Sequence, residues 1–144
     1  MINPPKVMVI EDNPMHQKVL LNILKRYFTK DVILKSNPKE AFPAMRKNKP
    51  DFVITDIEMP YMGGREMLEI IRNMEDLEDL KIIFYSSRVE KDIIMHVLKY
   101  NVLDYLHKGS DQNTIIARLN KHFKKFNLDQ KKKYKWQFLI LQVR

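Results

Sequence analysis

The chain has 144 residues, 44% hydrophobic and 31% charged, which suits one globular domain with an ordinary core and excludes a disordered chain. It has no cysteine, so disulfide frameworks and thiolate metal sites are excluded. The net charge of +8 raises nucleic acid as a partner, but the excess sits in residues 118–144, where nine Lys/Arg face one acid, Asp129, and the body is formally neutral. The opening MINPPKVMVIED holds an apolar run too short for a signal-peptide core or a membrane span. A cytoplasmic location is therefore expected, and membrane contact is not.

The first strand is predicted at Val7–Ile10, and Glu11 and Asp12 follow it. Asn13-Pro14 reads as an N-cap with proline at the first helical position, ahead of a helix with its apolar stripe at Val19, Leu20, Ile23, Leu24, Tyr27 and Phe28. A second strand is predicted at Val32–Leu34. Pro38 opens a second helix that Pro43 should shorten or kink, because proline removes a backbone hydrogen bond. The third strand, Phe52–Thr55, lies in VITDIEMPYMGG (residues 53–64), which turns from an apolar run to acids at Asp56 and Glu58 and then to Pro60 and Gly63-Gly64. A stripe at Met67, Leu68 and Ile71 gives the third helix. The fourth strand, Ile82–Tyr85, ends on Ser86 and Ser87, and a fourth helix follows with Ile93, Ile94, Val97 and Leu98. The fifth strand, Tyr105–Leu106, leads to Lys108, and Ser110-Asp111 can cap a last helix with Ile115, Ile116, Leu119 and Phe123.

Strands alternating with helices mean βα units, a parallel sheet and right-handed crossovers. The strands are near-continuous Val/Ile runs, as expected when helices cover both sheet faces. The predicted fold is α/β, a doubly wound five-stranded parallel sheet filling residues 1–126, with a basic and apolar extension at 127–144.

In such a sheet all carboxyl ends open on one edge, so Glu11, Asp12, Asp56, Ser86 and Lys108 converge there. Each taken singly is an ordinary turn or surface residue. Together they fit one task. Three clustered carboxylates repel unless a cation joins them, and an all-oxygen set without Cys or a local His cluster points to Mg²⁺. A metal-bound Asp56 can attack phosphorus, and Ser86 and Lys108 can meet the transferred oxygens.

These residues resemble the receiver (CheY-like) domain of bacterial two-component response regulators. The similarity spans nearly all of residues 5–126 through VMVIEDNP, DFVITDIEMPYMGG, IIFYSSR and DYLHKG, in the family's order. The resemblance implies a flavodoxin-like (βα)5 fold with strand order 2-1-3-4-5. It implies Asp56 as phosphoacceptor from a histidine kinase or histidine phosphotransfer protein. Mg²⁺, with Mn²⁺ as a substitute, would be held by Asp12, Asp56, Glu11 through water and the backbone carbonyl of Glu58. Ser86 would be the switch hydroxyl, Tyr105 the aromatic that rotates inward, and Lys108 the phosphoryl ligand. The surface of the fourth helix, fifth strand and fifth helix, roughly 89–126, would then engage a downstream protein. Glu58 and Arg88 occupy positions that tune phosphoryl lifetime, and an acid and a base there can pair against attacking water.

Two departures stand out. Gly109 follows Lys108 where the family has proline in a cis peptide; a cis bond before a non-proline costs roughly 2.5–4 kcal/mol, so a trans peptide is expected. Ser87 stands where the family usually has Ala or another small residue.

The expected function is thus a phosphorylation-activated switch and not a turnover enzyme. Two alternatives share the residues: a pseudo-receiver that is never phosphorylated, and a haloacid-dehalogenase-type phosphatase, which this short chain without a cap domain fits less well. Nothing reads as a helix-turn-helix, so direct DNA binding is not expected. The extension KKKYKWQFLILQVR reads as an extra strand or helix, an interfacial segment or the start of a linker. The preferred expectation is that its apolar run packs on the body or on a second copy, since it would be costly to leave in water.

Overall fold

In a computed structural model, residues 3–60 and 62–143 are described. The elements alternate without exception: β1 (Val7–Ile10), α1 (Pro14–Tyr27), β2 (Val32–Lys35), α2 (Pro38–Lys47), β3 (Phe52–Thr55), α3 (Gly64–Arg72), β4 (Lys81–Ser86), α4 (Lys91–Leu98), β5 (Asp104–His107) and α5 (Gln112–Val143). The five strands form one sheet in the order β2-β1-β3-β4-β5, and all pairs are parallel. Both the fold class and the strand order agree with the sequence expectation.

Side chains alternate across the sheet with a period of two, and the strand sequences use both faces. Val7, Val9, Phe52, Ile54, Ile83, Tyr85 and Leu106 pack with Leu20, Ile23 and Leu24 of α1 and Ile115, Leu119 and Phe123 of α5. Met8, Ile10, Val53, Ile82 and Phe84 face the other way, against Ala41 and Met45 of α2, Met67, Leu68 and Ile71 of α3 and Val97 of α4. Two helices therefore cover one face and three the other.

Three strands run longer than their apolar cores. Lys35 pairs with Ile10, Lys81 with Phe52, Asp104 with Ile83, and Ser86 with His107. Ladder bonds use the backbone, so a polar side chain does not end a strand. Asn13 caps α1 as expected, accepting from the N–H groups of Met15 and His16, with Pro14 next in line. Asn37 and Pro38 open α2 in the same way, and Pro43 is held inside a single ten-residue helix. The cap of α5 is Asp111, which accepts from the Thr114 N–H.

At the sheet edge opposite the acids, one side chain joins two connections. The Arg72 guanidinium, at the end of α3, donates to the carbonyls of Glu78 and Leu80 before β4 and of Tyr100 and Asn101 before β5. The Tyr100 hydroxyl also donates to Glu69 of α3, at 2.7 Å.

The main correction concerns the extension. It is not a separate element: α5 runs on unbroken for 32 residues, and only the first part of the extension, at Asn127 and Gln130, is half-buried. After Gly109 the chain has no glycine and no proline to stop it. Its base is clamped by Phe123 and Phe126, whose rings lie 4.8 and 5.4 Å from Phe52, with Phe28 4.9 Å from Phe123. From Lys131 to Val143 every residue is exposed.

Candidate functional site

The carboxyl edge of the sheet gathers the chemistry-bearing residues. β1 delivers Glu11 and Asp12, β3 delivers Asp56, β4 ends on Ser86, and Lys108 follows β5. Carboxylate oxygens of Glu11, Asp12 and Asp56 all lie within 4.8 Å of one another; Glu11 and Asp56 are buried and Asp12 is exposed. The sequence expectation of three acids on one edge is met.

Lys108 is the cation between them. Its Nζ is 2.6 Å from Asp56 Oδ2 and 2.8 Å from Glu11 Oε2, and its side chain is 6% exposed. Burial alone would lower its pKa, but the bonds to Asp56 and Glu11 outweigh that and hold it above the usual lysine value. Burial pushes the Glu11 carboxyl up, opposed by Lys108 and by the Asn13 N–H that bonds its Oε1 at 3.1 Å. Glu11 Oε2 has no aligned hydrogen bond. A buried carboxylate oxygen with spare acceptor capacity, beside an exposed acid and in an all-oxygen set, fits a hard divalent cation.

Asp56 is held at both ends. Its Oδ1 accepts from the N–H of Ile57 at 2.7 Å and more loosely from that of Glu58 at 3.4 Å, which leaves Oδ2 for Lys108. Behind it, Gly64 opens α3 against the strand end. A Cβ there would sit 2.3 Å from the Asp56 carbonyl and 2.9 Å from Phe84, so only glycine lets the helix approach this closely. The glycine pair thus draws α3 onto the backbone that carries the phosphoacceptor candidate.

Ser86 is buried, and its Oγ accepts from the Arg88 N–H at 3.2 Å. Tyr105 already lies in the inward position: it is 9% exposed, and its hydroxyl donates to the Arg88 carbonyl at 2.7 Å. Burial raises its phenol pKa. The predicted Glu58–Arg88 pair forms, and Arg88 also reaches Glu90 at 2.8 Å. The side chain of Glu58 is turned to Arg88 and not into the acid cluster. The Lys108–Gly109 peptide is trans, as expected, since no cis peptide occurs among the described residues.

Two neighbours of the ammonium were not singled out in the sequence. His16 Nδ1 accepts from Lys108 Nζ at 3.0 Å, and the Tyr85 ring centroid lies 5.5 Å from the same nitrogen. Their only signal is position: His16 lies in the first turn after the Asn13 cap, and Tyr85 directly precedes Ser86, so both border the edge where the acids converge.

The chain is similar to known proteins in sequence and in fold. A part of the hybrid signal transduction histidine kinase D of Dictyostelium discoideum is 31% identical over 117 residues, 81% of this chain and 7% of the kinase. Chemotaxis protein CheY-3 of Vibrio cholerae is 25% identical over 83% of this chain and 92% of its own length. The crystal structure of a response regulator receiver protein from Pseudomonas putida superposes with a TM-score of 0.75 at 26% identity, covering 84% of this chain and 99% of that one. Residues 7–120 match the response regulator receiver domain family, and the chain belongs to it.

Proposed function

We propose that this receiver domain is switched by phosphorylation of Asp56. The observation that carries the reading is the Lys108 ammonium seated between two buried carboxylates, with a third acid alongside. In this reading Asp56 Oδ2 attacks the phosphorus of a phosphohistidine on a histidine kinase or phosphotransfer protein. The P–N bond breaks, the imidazole leaves with its electron pair and takes up a proton, and an acyl phosphate remains on Asp56. Glu11, Asp12, Asp56 and the Glu58 backbone carbonyl would hold Mg²⁺, or Mn²⁺ in its place. The bound cation supplies charge neutralisation as the phosphoryl oxygens arrive.

The chain's own groups do the rest. Lys108, released from Oδ2, keeps its salt bridge to Glu11 and meets one phosphoryl oxygen. Ser86 Oγ meets another, drawing the loop that carries Arg88. Because Tyr105 is bonded to the Arg88 carbonyl, that movement is felt in the α4-β5-α5 surface, where Val89, Met95, Leu98 and Leu103 are exposed for a downstream protein. The Arg88–Glu58 pair covers the approach of hydrolytic water. The output is a change of population between two conformations and not product turnover.

The test is incubation with a small phosphodonor, with and without Mg²⁺. One stoichiometric, hydroxylamine-labile phosphoryl group is expected, dependent on Mg²⁺ and absent in Asp56→Asn. No labelling would leave an interaction module that keeps the fold without the chemistry. Sustained release of phosphate from a phosphomonoester would instead mark a phosphatase.

A further inference from the structure

The C-terminal half of α5 serves neither the core nor the site. From Lys131 to Val143 it is helical and exposed, with Trp136 66%, Phe138 61% and Leu141 72% accessible. At 100° per residue, Trp136, Leu139, Ile140 and Val143 fall on one side, and Tyr134, Phe138 and Leu141 on the opposite side. Lys133 and Gln137 on one seam, and Lys131, Lys135 and Gln142 on the other, separate them, with Lys132 on the Trp136 side. The segment is therefore not amphipathic around its axis. Over 131–143 it is polarised along it: Lys131, Lys132, Lys133 and Lys135 come first, Tyr134 and Trp136 overlap their end, a run from Phe138 to Leu141 follows, and Gln142 and Val143 precede Arg144.

This is the layer order of an anionic membrane surface: basic groups at the headgroups, Tyr and Trp at the interface, aliphatic side chains at the acyl boundary. We infer that residues 131–143 dock this domain on an anionic lipid bilayer. Charge complementarity chooses the occupant, because no acid follows Asp129. A second copy fits worse: side-by-side parallel pairing would bring two lysine clusters together and cover one of the two apolar sides. The apolar part, Phe138–Val143, is about 9 Å long at 1.5 Å per residue, enough to reach the acyl boundary. No helix among the described residues is long and apolar enough to span a membrane.

The chain has one tryptophan, so its emission reports on this segment alone. The full chain is mixed with vesicles of phosphatidylcholine, with or without phosphatidylserine, and followed by Trp136 fluorescence and co-sedimentation. A blue shift and pelleting are expected only with the serine lipid and should fade as salt is raised. The triple variant Lys131→Gln, Lys132→Gln, Lys133→Gln should bind roughly 100-fold more weakly while unfolding at the same temperature. Three results would overturn the inference: equal binding to neutral and anionic vesicles; a shift with duplex DNA but none with vesicles; or emission already blue-shifted in buffer in a dimer that lipid does not dissociate.

Discussion

The two ends of this molecule break the usual division of residues in opposite ways. At the carboxyl edge of the sheet, Glu11, Asp56 and Lys108 are charged groups taken out of water. In the outer half of α5, Trp136, Phe138 and Leu141 are apolar groups left in it. The first violation is compensated inside the chain, because the ammonium answers both carboxylates. The second has no partner among the described residues. A feature whose compensation is internal can be read from the fold; one whose compensation is external points to what the fold meets.

The contrast is sharpest within one helix. Phe123→Ala, at the clamped base of α5, should cost about 3–5 kcal/mol by removing a buried ring packed on Phe28 and Phe52. Leu139→Ala, four turns further on, should change stability by less than about 0.5 kcal/mol. Urea unfolding of the two variants measures both, and a large loss in Leu139→Ala would mean the outer half is covered after all.

At the other end, Lys108→Met removes the shared cation and leaves two buried acids facing each other. A loss of about 3 kcal/mol is expected without divalent ions. Much of it should return with Mg²⁺, which answers the same charges, so thermal unfolding with and without Mg²⁺ separates charge compensation from simple packing.

A smaller effect than that of Lys108 belongs to Asp104, where β5 meets α5. Burial opposes its ionisation, but bonds from Arg118 and from His122 at 2.9 Å outweigh it and hold its carboxyl below the ordinary value of 3.8. A folded value below the unfolded one stabilises at pH above 3.8, and the gain disappears as pH falls through the folded value. Asp104→Asn should therefore cost about 1 kcal/mol at neutral pH. Its gap from the native chain should close on acidification, as pH-resolved unfolding would register.

The same division explains what was legible in the sequence. The convergence of Glu11, Asp12, Asp56 and Lys108 could be read because parallel topology alone sends those positions to one edge. The Glu58–Arg88 pair was legible from position, but the second partner, Glu90, depends on the path of a loop. His16 was missed because helical periodicity marks faces turned to the core, and His16 faces a strand end. The continuity of the extension with α5 was not legible for a different reason. Composition says that a Trp136–Leu141 segment should be covered, yet it cannot say by what, and an uninterrupted helix carried the segment away from its own core.

The Arg72 junction has a mechanical consequence. It pins the trailing end of α4, through Tyr100 and Asn101, to α3, and the Tyr100–Glu69 bond adds a second rivet. The leading end has no side-chain cap at Glu90, and Val97 is the one fully buried residue of α4. α4 is thus a lever with its fulcrum at Tyr100. In the proposed switch, a pull on the Arg88 loop would turn it about that point, and the first turn, Lys91–Ile94, would travel furthest. A partner that grips that turn would read the largest displacement the fold can offer.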